Sequence, residues 1–266
     1  MPASNGARYY VSFLDAFTKF TWIYVLHTKS QVSNAFKKFK VLVENQTGHK
    51  ICNLQTDNAR EFLALTPFLQ QHGIHHRLTC PYTHQQNDYV ERKHRHIVDM
   101  GLALLVHANL PLKFWVEAFI SFVHIINVLP SPIIQGDTPH HKLFHTTPNY
   151  AHFKVFGCAC YPNLRPYNTR KFAFRSQCCL FLGYSLHHAG YICLTANGKT
   201  IISPLRPTSI RWLLEQRLVL TNQRCISPLS LTFLIFLLLL KLLLFPRFGP
   251  LLCKNTLLCF LTTLGP

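Results

Sequence analysis

Apolar positions along the chain alternate in short runs, then recur every three or four residues, in an order that predicts strands mixed with helices. Tyr9–Leu14 and Thr21–Leu26 are rich in β-branched and aromatic residues and flank Asp15-Ala16-Phe17-Thr18-Lys19, which predicts a hairpin. From Gln31 to Glu44, Val32, Ala35, Phe36, Phe39, Leu42 and Val43 recur as on one helix face, and Gly48 is placed to end that helix. Ile51–Gln55 reads as a strand that delivers Asp57 to its C-terminal end. Thr66-Pro67 starts a helix with proline in its first turn, and Ile74–Leu78 reads as the next strand. A long helix is predicted from about Asn87 to about Ala108, with Val90, Ile97, Gly101, Leu104 and Leu105 on one side and Glu91 and Arg95 on an adjoining face. Pro111-Leu112-Lys113-Phe114-Trp115 opens another that runs to about Val128, before Pro130 and Pro132. That order of elements predicts an α/β fold, a mixed sheet flanked by helices.

After Pro139 the pattern shifts to short strands punctuated by Gly and Pro: Phe153–Tyr161, Cys178–Tyr184 and Tyr191–Leu194. Three regions are therefore expected: residues 1–139 as the core, 140–202 as a small β-rich module, and 203–266 as an irregular apolar tail, frameshifted or disordered. The tail holds one acid, Glu215, and the run Leu231–Phe245. That run is shorter than a bilayer span needs and carries Lys241 inside it, so no membrane is expected despite its apolarity.

Charge changes the picture more than length does. The chain has 266 residues, 48% of them hydrophobic, enough for one sizeable core and a small second module. Its formal net charge of +17, with 10 acids, points to a polyanionic partner, because neutralising phosphates releases counterions. A non-catalytic nucleic-acid binder has the same composition, so charge names the partner class and no reaction. The ten cysteines follow no secretory signal and are expected as reduced thiols in an intracellular, non-secreted protein. Cys158-Ala159-Cys160 and Cys178-Cys179 lack zinc-site spacing, and His75-His76, His140-His141 and His187-His188 have no matching cysteine pairs; no zinc site is expected.

Two acids stand out against this background: Asp57 in Thr56-Asp57-Asn58-Ala59-Arg60-Glu61-Phe62, and Glu91 in Pro81-Tyr82-Thr83-His84-Gln85-Gln86-Asn87-Asp88-Tyr89-Val90-Glu91-Arg92-Lys93-His94-Arg95. Taken alone, Asp57 reads as a turn residue closing a strand and Glu91 as a surface acid opposite Arg95. Both segments resemble motifs of copia-type LTR-retrotransposon integrases, as do Arg8–Asp15, Phe20-Thr21-Trp22, Val43–Gly48, Phe156-Gly157-Cys158 and Phe181-Leu182-Gly183-Tyr184. The resemblance runs from about Gly6 to about Thr200. It implies a ribonuclease-H-like integrase core from a Gag-Pol polyprotein, with DNA as partner, multimeric self-association, and nuclear action if functional. It also implies Mg²⁺ (or Mn²⁺) held by two aspartates and a glutamate, of which Asp57 and Glu91 match the second aspartate and the glutamate, 34 positions apart. Asn58, Asn87, Arg92, Lys93 and Arg95 are then candidate DNA contacts.

Departures from the family pattern matter as well. The first catalytic aspartate and its strand are expected to be missing, since the chain starts at Met1-Pro2 inside the segment that follows them; Asp15 is the nearest substitute and a poor one. Ala59 and Asp88 stand where the family has glycine, which predicts strain if those positions need positive φ, and His84 replaces a proline. The expected function is a truncated integrase core that binds nucleic acid and lacks strand-transfer activity by itself. The alternatives are a non-catalytic nucleic-acid-binding remnant and a tail-anchored membrane protein.

Overall fold

A computed structural model describes residues 1–79, 88–167, 172–185, 188–204, 210–212 and 256–263. The chain divides into two compact units: residues 1–99, 122–148 and 245–266 form the first, and 100–121 with 149–244 the second.

The first unit opens with β1 (Tyr9–Asp15) and β2 (Thr21–Leu26), the expected hairpin, paired antiparallel from Tyr9↔Leu26 to Leu14↔Thr21. Then follow α1 (Val32–Thr47), β3 (Asn53–Thr56), α2 (Arg60–Leu63), α3 (Thr66–Gln71) and β4 (His75–Leu78). α1 ends where the sequence predicts, at Gly48, which takes the left-handed conformation (φ 69°) that closes a helix without steric cost. Glu44 fixes the exit from that helix. Its Oε2 accepts from Lys40 Nζ at 2.7 Å, and its Oε1 accepts from the Ile51 amide at 3.0 Å.

β1 is buried along both faces, which is why it reads as an almost unbroken apolar run. Val11 and Phe13 face one core with Phe36 and Phe39 of α1, Leu54 of β3, and Phe62, Leu65 and Leu69. Phe13 stacks on Phe39 with centroids 4.3 Å apart, and Trp22 meets the same ring edge-on at 5.1 Å. Leu42, expected on that face, is instead largely exposed, because Val43 takes the inward position at the end of the helix. On the opposite face of β1, Leu14 and Ala16 pack on Val90 of α4 (Asp88–Ala108), and Tyr10 bonds His94 of the same helix.

The sheet order is β2-β1-β10-β3-β4, where β10 is Thr256–Thr263. It runs antiparallel to β1 and parallel to β3. This differs from the expectation of an irregular tail. Thr256-Leu257-Leu258-Cys259-Phe260-Leu261-Thr262-Thr263 has no charge, Pro or Gly, so an extended conformation costs little and a buried strand position suits it. The strand expected to be missing beside β1 thus has an occupant from the far end of the chain. Leu231–Phe245, the stretch weighed as a membrane segment, lies outside the described residues.

α5 (Trp115–Val128) contributes its last turns to the first unit. There Asn127, buried, accepts from the Thr21 amide at 2.9 Å and donates to the Thr21 carbonyl at 2.7 Å, closing both backbone groups of one residue. Among the described residues, Leu112–Ile134 is long and apolar enough to cross a membrane, but most of it is buried in the protein, as in a core helix. α6 (Pro139–Phe144), missed by periodicity because it is so short, is capped by Thr138, whose side chain accepts from the His141 amide.

The second unit is built on an antiparallel sheet in the order β8-β7-β6-β5-β9, with β5 Ala159–Pro162, β6 Cys179–Tyr184, β7 Gly190–Thr195, β8 Thr200–Pro204 and β9 Ile210–Trp212. The strand expected over Phe153–Tyr161 begins only at Ala159; residues 150–152 form a 3₁₀ turn, and Phe153 packs edge-on against Tyr184 at 5.9 Å. β6 bulges between Phe181 and Gly183, where φ is 122° and an added Cβ would lie 2.0 Å from Ser121 Oγ. Cys160, Cys179 and Cys193 are buried with Phe181 and Tyr191. Burial pushes the Cys158 thiol up to about 12 and Cys179 up to about 11, so these are inert packing thiols.

Candidate acidic pair and cationic face

Asp57 follows directly on β3, as the sequence predicts, and the strand end that delivers it is held by a small polar network. Thr56, fully buried, donates its hydroxyl proton to the Asp57 carbonyl at 2.9 Å. Its oxygen lies 2.8 Å from His76 Nε2, and His76 Nδ1 lies 3.2 Å from Thr66 Oγ1. With the Thr56 proton already committed, the imidazole donates from Nε2 and accepts from Thr66 at Nδ1, which assigns a neutral ring. Burial, then the neighbouring His75, lowers the His76 pKa in the same sense.

The Asp57 carboxylate accepts from the Ala59 amide at 3.2 Å, so the turn-forming role is real. Burial, and secondarily the charge of Glu61, raises its pKa above the ordinary aspartate value, while the Ala59 bond opposes the shift. Ala59 itself has φ −64° and ψ 140°, an extended conformation open to any residue. The strain expected from replacing glycine there does not arise. Asn58 donates to the Thr79 carbonyl at 3.2 Å, tying the ends of β3 and β4 together.

Glu91 sits in the first turns of α4, partly exposed; with Arg95 it forms no ion pair among the described residues. Its height relative to Asp57 follows from packing and register. Val90 packs on Leu14, Leu14 pairs with Leu258, and Leu258 pairs with Gln55. Glu91 therefore stands near the level of Asp57 along the strands, on the helix packed against Leu14. β10 runs between β1 and β3, and its eight residues include no carboxylate. Asp15, the substitute considered for a third ligand, accepts from the Thr18 amide at 2.8 Å and from the Thr18 hydroxyl, and so closes the hairpin turn. Among the described residues no three His, Cys, Asp or Glu side chains converge to hold a metal ion. Asp57 and Glu91 alone do not fit a two-ion magnesium centre, which needs several carboxylate oxygens on rigid elements.

The basic residues are arranged with more force. Lys93 keeps some surface in solvent, but its ammonium lies deep, and burial together with the nearby Lys19 pushes its pKa down to about 8. Lys19 is also lowered, chiefly by burial; Asp15 opposes that shift and Lys142 adds to it. Lys19 Nζ bonds the Ala16 carbonyl at 2.7 Å and lies 4.5 Å from the Tyr89 ring centre, and Lys142 lies 5.2 Å from the Phe17 ring. Sequence patterning missed Lys19, which the fold brings near Lys93, and Lys142, which it brings near Lys19. Arg92 adds its charge near Tyr89, whose pKa burial pushes up to about 12. Arg95 is exposed and near His94, whose pKa burial lowers. Asn87 lies outside the described residues.

An α/β unit with one acid at the end of an interior strand and another on the following long helix is the arrangement that the resemblance to integrase cores implies. Residues 1–84 match the family described as integrase core domain, and 158–204 match the retroviral polymerase SH3-like domain. Over 190 residues the chain is 52% identical to the retrovirus-related Pol polyprotein from transposon RE2 of Arabidopsis thaliana, covering 71% of this chain and 13% of that one. It is 36% identical over 189 residues to the corresponding polyprotein from transposon TNT 1-94 of Nicotiana tabacum, covering 70% of this chain and 14% of the relative. A simian T-cell lymphotropic virus intasome in complex with PP2A regulatory subunit B56 gamma aligns at a TM-score of 0.43 and 14% identity, over 80% of this chain and 75% of that chain. The chain belongs to the integrase region of copia-type retrotransposon Pol polyproteins. It spans about an eighth of the length of the first two of these relatives.

Proposed function

We propose that this chain is a DNA-binding integrase core that holds phosphates on the Lys19, Lys93, Lys142 and Arg92 face and does not by itself catalyse strand transfer. The observation that carries the reading is the strand between β1 and β3. It adds no carboxylate to Asp57 and Glu91, so the divalent-metal chemistry general to integrase cores lacks its ligand set among the described residues. The lowered pKa of Lys93 supports the binding half. Burial first, and the neighbouring Lys19 second, disfavour its charged form, and an anion brought alongside offsets both costs. Asn58 and Arg95 are the flanking polar contacts in this reading, DNA places its action in the nucleus, and self-association on DNA ends is its multimeric form.

The test pairs binding with turnover on the full chain. Affinity for a DNA duplex is expected to fall steeply between about 50 and 200 mM salt, as for a protein making several phosphate contacts. No joined or nicked product is expected with Mg²⁺ or Mn²⁺. Metal-dependent joining that disappears in Glu91→Gln would overturn the inactive half; salt-insensitive binding would overturn the other.

A further inference from the structure

We propose that the space between β1 and β3 is a strand-acceptor site, that residues 256–263 of the same chain fill it, and that this filling closes the sheet to strands from other chains. β1 and β3 do not pair with each other: β10 alone joins them, through seven register pairs with β1 and three with β3. The other four strands of the sheet all come from residues 9–78, so the sheet is two local halves held by one remote strand. Remove that strand and two unpaired edges face each other inside the sheet, each a template for an extended segment.

The slot is specific about its ligand. One face of its walls belongs to the core of Val11, Phe13, Phe36, Phe39 and Leu54, in which Cys259 is fully buried opposite Phe13. On the other face of β1 lie Leu14 and Val90. A strand enclosed this way must be extended, about eight residues long and uncharged, because a charge buried between apolar faces has no partner. Thr256–Thr263 satisfies all three demands, and its composition would make it an aggregation-prone segment anywhere else. Because it belongs to the same chain, its pairing is intramolecular and is not diluted as pairing with a second copy would be at micromolar protein. The same-chain strand is therefore the occupant, and any other strand has to displace it.

Cys259 reports on the slot. In the full chain, a thiol reagent followed by peptide mapping is expected to modify Cys259 at least ~100-fold more slowly than exposed Cys52, as for a site reached only through a large opening. Equal rates would overturn the proposal whether or not any variant folds. Leu258→Pro, which removes a ladder donor in mid-strand, is expected to take up a fluorescent Thr256–Thr263 peptide that the unaltered chain excludes. Uptake by the unaltered chain, or none by the variant, counts against the proposal. Sedimentation should show Cys259 protected in the monomer; protection confined to a dimer would assign the strand to a second copy and overturn the same-chain occupant.

Discussion

The two sheets of this protein are the same size and are assembled in opposite ways. In the second unit β5, β6, β7 and β8 follow one another along the chain, and only β9 returns from a short distance to pair with β5. In the first unit the central position is taken by a strand that lies some 180 residues beyond the last of its sheet partners in sequence. Five strands give a stable sheet in either case, but the second arrangement concentrates dependence on one segment. It also charges the loop-closure entropy of a long chain to a single pairing event, which slows folding.

The largest effect should come from breaking that dependence. Leu258→Pro is expected to cost the first unit about 3 kcal/mol or more, since proline removes a ladder bond in a central strand. Ile201→Pro in β8, an edge strand, should cost markedly less. Urea denaturation followed through Trp22, which packs on the first core, measures the former; equal losses would erase the contrast between the sheets.

Next in size, Gly157→Ala should destabilise the second unit by about 2–3 kcal/mol. Gly157 has φ 78°, and an added Cβ would lie 2.4 Å from Ala108 Cβ and 3.1 Å from its backbone Cα. Circular dichroism melting checks it. Asn127→Ala in the first unit should cost about 2 kcal/mol, because both backbone groups of Thr21 lose their buried partner. That loss is expected to be the same in Asn127→Leu, which restores volume and not hydrogen bonds.

Two smaller effects are pH-dependent. Lys93 has a folded pKa near 8 against an ordinary value of 10.5, so between those limits the unfolded chain holds a proton that the folded chain has lost. Stability should therefore rise with pH across that window, while DNA affinity should fall as Lys93 loses its charge. Lys93→Arg, which stays charged, is expected to flatten the fall in affinity, measured by fluorescence anisotropy from pH 7 to pH 9. Asp57 is shifted the other way for an acid, upward by burial, so its charged form costs stability at neutral pH and the cost disappears as acid protonates it. Asp57→Asn should raise the melting temperature slightly at pH 7 and leave it unchanged in acid.

Periodicity made much of the first unit legible. The hairpin, α1 with its Gly48 terminus, β3, β4 and the two long helices fall within a few residues of where spacing predicts them, because each is decided by its own neighbours. β10 was not legible for the converse reason. An uncharged run of leucine, threonine and phenylalanine fits a buried strand, a membrane segment or a misread frame equally well, and only its partners decide. Phe153 misled in the same way, since an aromatic beside a strand can extend it or, as here, cap it by packing on Tyr184. In the candidate site, Asp57 and Glu91 were visible through their motifs. Of the cationic face, Arg92 and Lys93 were visible through the same motif, but Lys19 and Lys142 were not: they are far from it in sequence, and the grouping exists only after the hairpin turn, α4 and α6 have been placed.

Amide hydrogen exchange on the full chain tests the central claim, that a remote strand completes the first sheet. The account predicts that the amides of residues 257–261 exchange as slowly as those of Val11, Phe13 and Leu54, all released together on global unfolding. Fast exchange across 257–261 with β2 still protected would contradict it.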